Sequence, residues 1–199
     1  VPLDAGIPAA TPALDVRLWS AGDGVVLTAV TPDPAGGSTL QTWRRAGPGR
    51  WTAESAVDVG AGDEVRALVE HAGVEVMALG PRGSDAPMTR VLQRADGGAW
   101  ETVSGVHAGL VALTATPDGF VGISRTQVAA GGDALVTSAD GRTWAAAGSL
   151  PTGGLASPVV AVVDGRLFVA GSDADVGLTH AWIAADDGSW EPVLTTLGT

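Results

Sequence analysis

Five carboxylates stand out as residues that could do chemistry. Asp33, Asp85, Asp133, Asp173 and Asp175 sit in four long polar stretches, "TPDPAGGS" (31–38), "GPRGSDAPM" (80–88), "SRTQVAAGGD" (124–133) and "GSDADVGLTH" (171–180). Carboxylates brought to one face could share a hard cation such as Ca²⁺, which takes roughly six to eight oxygens. "DADVG" starts as a calcium loop does but lacks the later ligands, the closing Glu included, so a weak Ca²⁺ site at Asp173 and Asp175 is the only cofactor the sequence suggests. Loop Asp residues also serve their own backbone N–H groups, which is the plainer role for all five. Among the cations, Arg17 and Arg66 each lie seven residues before a glycine, Gly24 and Gly73, whereas Ala112 holds that place in a third copy. They would either draw an anionic ligand or pair with a nearby acid, and Arg82 and Arg125 in the long stretches carry the same two readings. His71, His107 and His180 have no ligand spacing, so no zinc site is expected. His180 and Trp19 remain as candidates for a binding face, since an exposed indole stacks on sugar rings; Trp43 and Trp182 read as packing residues. No G-x-S-x-G turn, Ser–His–Asp order or phosphate loop is present, so no catalytic residue is assigned.

Composition narrows the partners. The 199 residues carry 22 acids against 11 bases, a net charge of −11, and every base is Arg. Such a surface repels phosphate backbones and anionic lipid, so neither nucleic acid nor an anionic membrane surface is an expected partner. No apolar run approaches the ~18 residues a spanning helix needs. With no Cys there are no disulfides and no thiolate chemistry, and with no Asn there is no N-glycosylation acceptor. The first 13 residues are rich in Pro and Ala and read either as a linker of the kind left when a signal or lipoprotein anchor is removed or as a tail where this segment was cut; the first reading gives the expectation of a protein outside the cell or in its envelope.

The elements that must carry these residues follow from an internal repeat. Four segments end on a turn and a Trp: "WRRAGPGRW" at Trp51, "LQRADGGAW" at Trp100, "VTSADGRTW" at Trp144 and "IAADDGSW" at Trp190, spaced by 49, 44 and 46 residues. Upstream of each lie two alternating apolar runs broken by a Gly-containing turn: "VRLWSAGDGVVLTAV", "VRALVEHAGVEVMAL", "LVALTATPDGFVGIS" and "VVAVVDGRLFVAG". Period-two alternation broken by "DG" or "AG" is a hairpin signal. A third and a fourth strand after each pair give four strands per repeat. The 29 Gly and 12 Pro suit short strands and oppose long helices. A period of roughly 40–50 residues without helical periodicity predicts an all-β propeller of four four-stranded antiparallel blades, at 14–57, 58–106, 107–153 and 154–197. The alternative is half of an eight-bladed ring, completed by a second chain as a homodimer or by blades outside this segment.

One turn carries a family resemblance. "S-x-D-G-x-T-W" at Ser138, Asp140, Gly141, Thr143 and Trp144 resembles the Asp-box of bacterial neuraminidase-type propellers, and the resemblance extends over about 14–197. In that family the box joins the third and fourth strands of a blade. The resemblance implies that the Asp side chain bonds the turn backbone, that Gly takes the left-handed conformation, and that the aromatic wedges between sheets. The second repeat keeps Asp96, Gly97 and Trp100 but has Arg94 where Ser would stand. The fourth keeps Asp187, Gly188 and Trp190 and is one residue short; the first keeps only Gly49 and Trp51. Sialidases of this type use a Tyr nucleophile, and this chain has no Tyr. The expectation is therefore a non-catalytic binding scaffold for a protein or glycan ligand, working through the inter-strand loops. A glycan-binding or glycosidase-like module using loop carboxylates, or a structural segment of a larger extracellular assembly, are the alternatives.

Overall fold

The structure is a computed structural model. It describes residues 15–22, 24–84, 86–104, 109–125, 133–151, 154–173 and 178–193. Among the described residues sixteen strands follow one another. They are β1 (Asp15–Ala21), β2 (Gly24–Pro32), β3 (Ser38–Gly47), β4 (Arg50–Val59), β5 (Asp63–His71), β6 (Val74–Pro81), β7 (Arg90–Ala95), β8 (Glu101–Thr102), β9 (Leu110–Thr116), β10 (Gly119–Ser124), β11 (Ala134–Ser138), β12 (Ala145–Ser149), β13 (Leu155–Val163), β14 (Arg166–Asp173), β15 (Thr179–Ala184) and β16 (Trp190–Pro192). They pair as four antiparallel meanders, β1 to β4, β5 to β8, β9 to β12 and β13 to β16, in each of which sequence neighbours are sheet neighbours.

Burial follows position in the sheet. In the first three meanders the second strand is covered on both faces: Val26 to Val30 of β2, Glu75 to Gly80 of β6 and all of β10 are buried, whereas β14 is mostly half-buried. Such a strand reads as a continuous apolar run, while flanking strands alternate. Turn chemistry fits the hairpins. Ala72-Gly73 and Asp164-Gly165 both have positive φ at two successive residues, the type I′ geometry whose twist matches that of the strands it joins.

Two compact units emerge. One holds the first and second sheets, the other the third and fourth together with 86–89, whose Met88 N–H donates to the Leu110 carbonyl at 2.7 Å. In the first unit Val26, Val30 and Leu40 of one sheet meet Leu68, Met77, Leu79 and Leu92 of the other, with Trp100 among them. In the second, Ile123 and Leu135 meet Leu155, Val169 and Trp182. Each seam removes a full row of side chains from water, at about 1.5–3 kcal/mol for each large apolar residue.

Candidate functional site

The turn of the third sheet shows what the repeat does locally. Ser138 Oγ accepts the Gly141 N–H at 2.9 Å and donates to Asp140 Oδ1 at 3.1 Å, and the same Oδ1 accepts the N–H groups of Arg142 and Thr143 at 2.8 Å each. Gly141 has φ 72°, a left-handed conformation. The backbone N–H groups of Thr143 and Arg142 hold the Asp140 carboxyl below its ordinary range. Trp144 is buried, donates its indole N–H to the Gly141 carbonyl at 3.2 Å, and lies 6.5 Å from the Phe120 ring. In the fourth sheet the Ser189 hydroxyl donates to Asp187 Oδ1 at 2.6 Å and the Ser189 N–H at 2.9 Å, again pulling that carboxyl down, with Gly188 left-handed. Trp190 is half-buried against the seam of its unit.

Two repeats depart from the expected roles. Asp96 does not cap its turn with its side chain. It is itself left-handed, at φ 50°, followed by Gly97 at φ 71°, and the turn is closed by the Gly98 N–H on the Ala95 carbonyl at 2.9 Å. Trp51 is no inter-sheet wedge. It is half-buried on a face of its own sheet, against Leu27, Ala29 and Trp43. Trp100 does stand in the seam between two sheets.

The loop-end residues are mostly engaged in holding the chain. Asp33 accepts the Ala35 N–H at 2.8 Å and so stabilises its own turn. Asp133 is buried, and its Oδ2 accepts the Leu155 N–H at 3.0 Å. Burial raises its carboxyl above the ordinary range, against the opposing pull of that N–H and of Arg125. Arg125 gives Nη2 to the Leu155 carbonyl and brings Nε to 3.8 Å from Asp133. The two described members of the expected carboxylate ring, Asp33 and Asp133, thus turn onto backbone rather than toward a shared ion. Among the described residues no group of three or more His, Asp or Glu is placed to hold a metal. Asp85 and Asp175 lie outside the described residues, as does the side chain of Asp173.

Arg17 and Arg66 are committed to acids and carbonyls. Arg17 reaches Asp15 at 3.1 Å and Glu64 at 2.8 Å, and Arg66 Nε reaches the same Glu64 at 2.9 Å. Arg66 sits at a bulge in β5, between Val65 and Ala67, and donates Nη2 to the carbonyls of Pro81 and Ser84. A bulge re-aims one side chain out of the alternation; here it points a guanidinium at the loop that follows β6. Trp19 is half-buried on the seam of its unit and donates its indole N–H to Thr28 Oγ1 at 3.0 Å, so it is not the exposed ring the sequence suggested. His180 is half-buried and stacks on Trp182, centroids 5.4 Å apart and planes 16° from parallel. Arg82 is exposed.

The densest charge cluster lies at the other end of the sheets, the end of the β5–β6 and β7–β8 turns. Arg94 is fully buried on β7. It binds Glu75 through Nε and Glu54 through Nη2, gives Nη1 to Ser55 Oγ at 3.2 Å, and rests 4.4 Å above the centre of the Trp100 ring. Arg44 of β3 joins the same two acids, Glu54 through Nε at 2.9 Å and Glu75 through Nη2, and lies 3.6 Å from Glu70 through Nη1. Burial works to lower the Arg44 pKa, but Glu75 and Glu54 outweigh it and hold the guanidinium more firmly charged. Above this network opens a cavity of about 340 Å³, with Arg44, Glu54, Glu70, Glu75 and Asp96 as its side chains and Gly73 and Gly97 as bare backbone. Gly22, at φ 56°, lets Glu70 sit here, since a Cβ at that position would come within 2.7 Å of Glu70 Oε1. The sequence did hold a signal for this site: Arg94 in the Ser place of the box, and a lone Glu in the apolar run "VEVMALG".

Four meanders of four antiparallel strands are the blades of a β-propeller, and solved structures bear this out. The Aleuria aurantia lectin, as a mutant bound to Fucα1-6GlcNAc, matches 90% of this chain with 13% identity and a TM-score of 0.55. The protein YjhT matches 94% of this chain with 11% identity and a TM-score of 0.53, and covers 72% of its own length. A Bombyx mori GH32 beta-fructofuranosidase matches 92% of this chain with 12% identity and a TM-score of 0.51. This chain spans 60% of the length of the lectin and 49% of that of the fructofuranosidase. No family model and no curated protein sequence matches the chain. Identities this low speak for the fold alone: this chain has the β-propeller fold, with four four-stranded antiparallel sheets as its blades.

Proposed function

We propose that the protein is a non-catalytic binding module of an extracellular or cell-envelope setting and that its ligand is a glycan. The observation that carries this reading is the mixed-charge cavity of the first unit, where a guanidinium and several carboxylates are held ready on rigid strands. Planar acceptors and donors set side by side suit vicinal hydroxyls, each of which donates to one group and accepts from the other. The likeness to a lectin solved with a fucosylated disaccharide supports the choice of a sugar. A non-catalytic role is supported by the loop end, where Asp33 and Asp133 serve backbone N–H groups and Asp15 and Glu64 are paired to Arg17 rather than facing each other as an acid and a base would.

A glycan array followed by calorimetry on the hits tests the reading. Binding of one or more glycans in the micromolar to millimolar range, with no change in the glycan after prolonged incubation, is the expected result. A folded protein that retains none of the array overturns it, and so does release of a sugar, which would make the protein an enzyme.

A further inference from the structure

The second blade breaks the rule of its own repeat, and it does so beside a cavity. At the box position where the third blade has Ser138, the second has Arg94, and across the hairpin Glu75 stands opposite Arg94 where Phe120 stands opposite Ser138. A buried ion pair is a poor way to gain stability, since the desolvation of both charges consumes most of the Coulombic return. The third blade shows that the same chain has an apolar solution available. A costly local departure of this kind is found where a site must be held in one geometry.

What the network holds is Arg44. Glu54 and Glu75 fix its Nε and Nη2 edges and are themselves fixed by buried Arg94. Among the described residues its remaining edge, Nη1, has Glu70 alone within reach, at the long distance of 3.6 Å, and borders the cavity with Glu70 and Asp96. The Asp96 carboxylate has no hydrogen-bond partner among the described residues. The cavity therefore presents one pre-oriented donor edge and two carboxylates with accepting capacity left.

Charge decides which sugar fits. Four carboxylates, Glu54, Glu70, Glu75 and Asp96, line the cavity with Arg44, and Arg94 lies beneath. The acids outnumber the guanidiniums, so a ligand carboxylate or sulfate meets repulsion, while hydroxyl and ammonium donors are welcomed. We infer that this cavity between the first and second blades, at the turn end rather than the long-loop end, is the glycan site, and that it takes a non-acidic sugar, a hexosamine in preference to a neutral hexose. The inference rests on the glycan reading above and adds to it the place and the class.

The test uses the whole chain and three variants. Glu70→Gln and Asp96→Asn change the cavity wall without touching buried Arg94 or Glu75, and Asn tolerates the left-handed backbone at position 96. Arg82→Ala changes the loop end. Against hexosamine-, hexose- and uronic-acid-terminated glycans, the wild type should bind in that order. Each cavity variant should weaken hexosamine binding by about tenfold or more, the loss of one charge-assisted hydrogen bond. Arg82→Ala should bind as the wild type does, and melting temperatures confirm that all four proteins are folded. Wild-type binding that survives in both cavity variants and fails in Arg82→Ala moves the site to the loops and overturns the inference while leaving the glycan reading standing. Uronic-acid glycans bound as tightly as hexosamines overturn the sugar class. No glycan binding in any protein overturns the earlier reading, and this one with it.

Discussion

The second and third blades solve one packing problem in two ways. Both must close a third-to-fourth-strand turn and seat a Trp. In the third blade Ser138 and Asp140 tie up three backbone N–H groups and Trp144 hangs its indole N–H on the turn carbonyl of Gly141. In the second blade the turn closes on its own backbone with Ser55 Oγ donating to the Gly98 carbonyl from another sheet at 3.3 Å, and Trp100 lies under a buried guanidinium with its indole N–H unpartnered among the described residues. The first solution is local: every bond falls within seven residues. The second is long-range, because Arg94 reaches Glu54 and Ser55 forty and thirty-nine residues away. The repeat thus provides a site for a polar group beside the turn. The second blade uses that site to couple two sheets.

The largest break in this comparison is Arg94→Met. It leaves Glu75, buried and paired to Arg94, with only Arg44 to answer its charge, and the expected loss is about 3–5 kcal/mol. Ser138→Ala removes a neutral hydroxyl from the corresponding position and should cost about 1 kcal/mol. Denaturant titration of the two variants gives the ratio. Adding Glu75→Leu to Arg94→Met should restore much of the stability, since an apolar pair needs no desolvation. Failure of that rescue would mean that the network holds the seam together by more than its own charges. Equal losses in Arg94→Met and Ser138→Ala would mean that the two positions are interchangeable after all.

The sequence made the local solution legible and hid the long-range one, for a physical reason. Hairpin alternation, "DG" turns and a Trp every forty-odd residues are carried by neighbours in the chain, so blade number and strand order can be read directly. Ser138, Asp140 and Gly141 could likewise be given their roles in advance. Asp96 could not. Its spelling is that of Asp140, yet with Arg94 two residues before it the residue turns left-handed and its carboxylate is left to the cavity. Arg44, Glu54 and Glu70 come from β3, β4 and β5, and only the packing of two sheets assembles them. For the loop Asp residues the sequence left a shared ion and the plainer backbone role open together; Asp33 serves its own turn as the plainer reading has it, while Asp133 caps the Leu155 N–H twenty-two residues away, a partner that only the packing of two strands supplies.

A smaller effect sharpens the difference between the two Asp-Gly turns. Asp140→Ala deletes the acceptor of two backbone N–H groups and should cost about 1 kcal/mol, discounted because the carboxylate is solvent-exposed. Asp96→Gly should be neutral or stabilising by up to about 1 kcal/mol, since Gly relieves the left-handed strain that Asp bears at φ 50°. Opposite signs in thermal melts are the expected pattern. A matching loss at both positions would show that Asp96 caps its turn in solution as Asp140 does.

The smallest effect expected is a pH dependence whose sign differs at the two ends of the third blade. Asp140 is held below the ordinary carboxylate range by the Thr143 and Arg142 N–H groups. A group lowered on folding adds stability that is present above its unfolded pKa and is lost as pH falls through its folded one. Asp133 is raised by burial, so its contribution runs the other way, present below the unfolded pKa and lost as pH rises through the raised value. Asp140→Asn should therefore flatten the acid limb of the stability curve. Asp133→Asn, which keeps an oxygen for the Leu155 N–H, should gain stability relative to wild type at neutral pH and lose that advantage toward pH 3. Denaturant midpoints measured from about pH 3 to pH 7 resolve the two, and an Asp133→Asn curve parallel to wild type would show that Arg125, 3.8 Å away, neutralises the buried carboxylate more fully than burial opposes it.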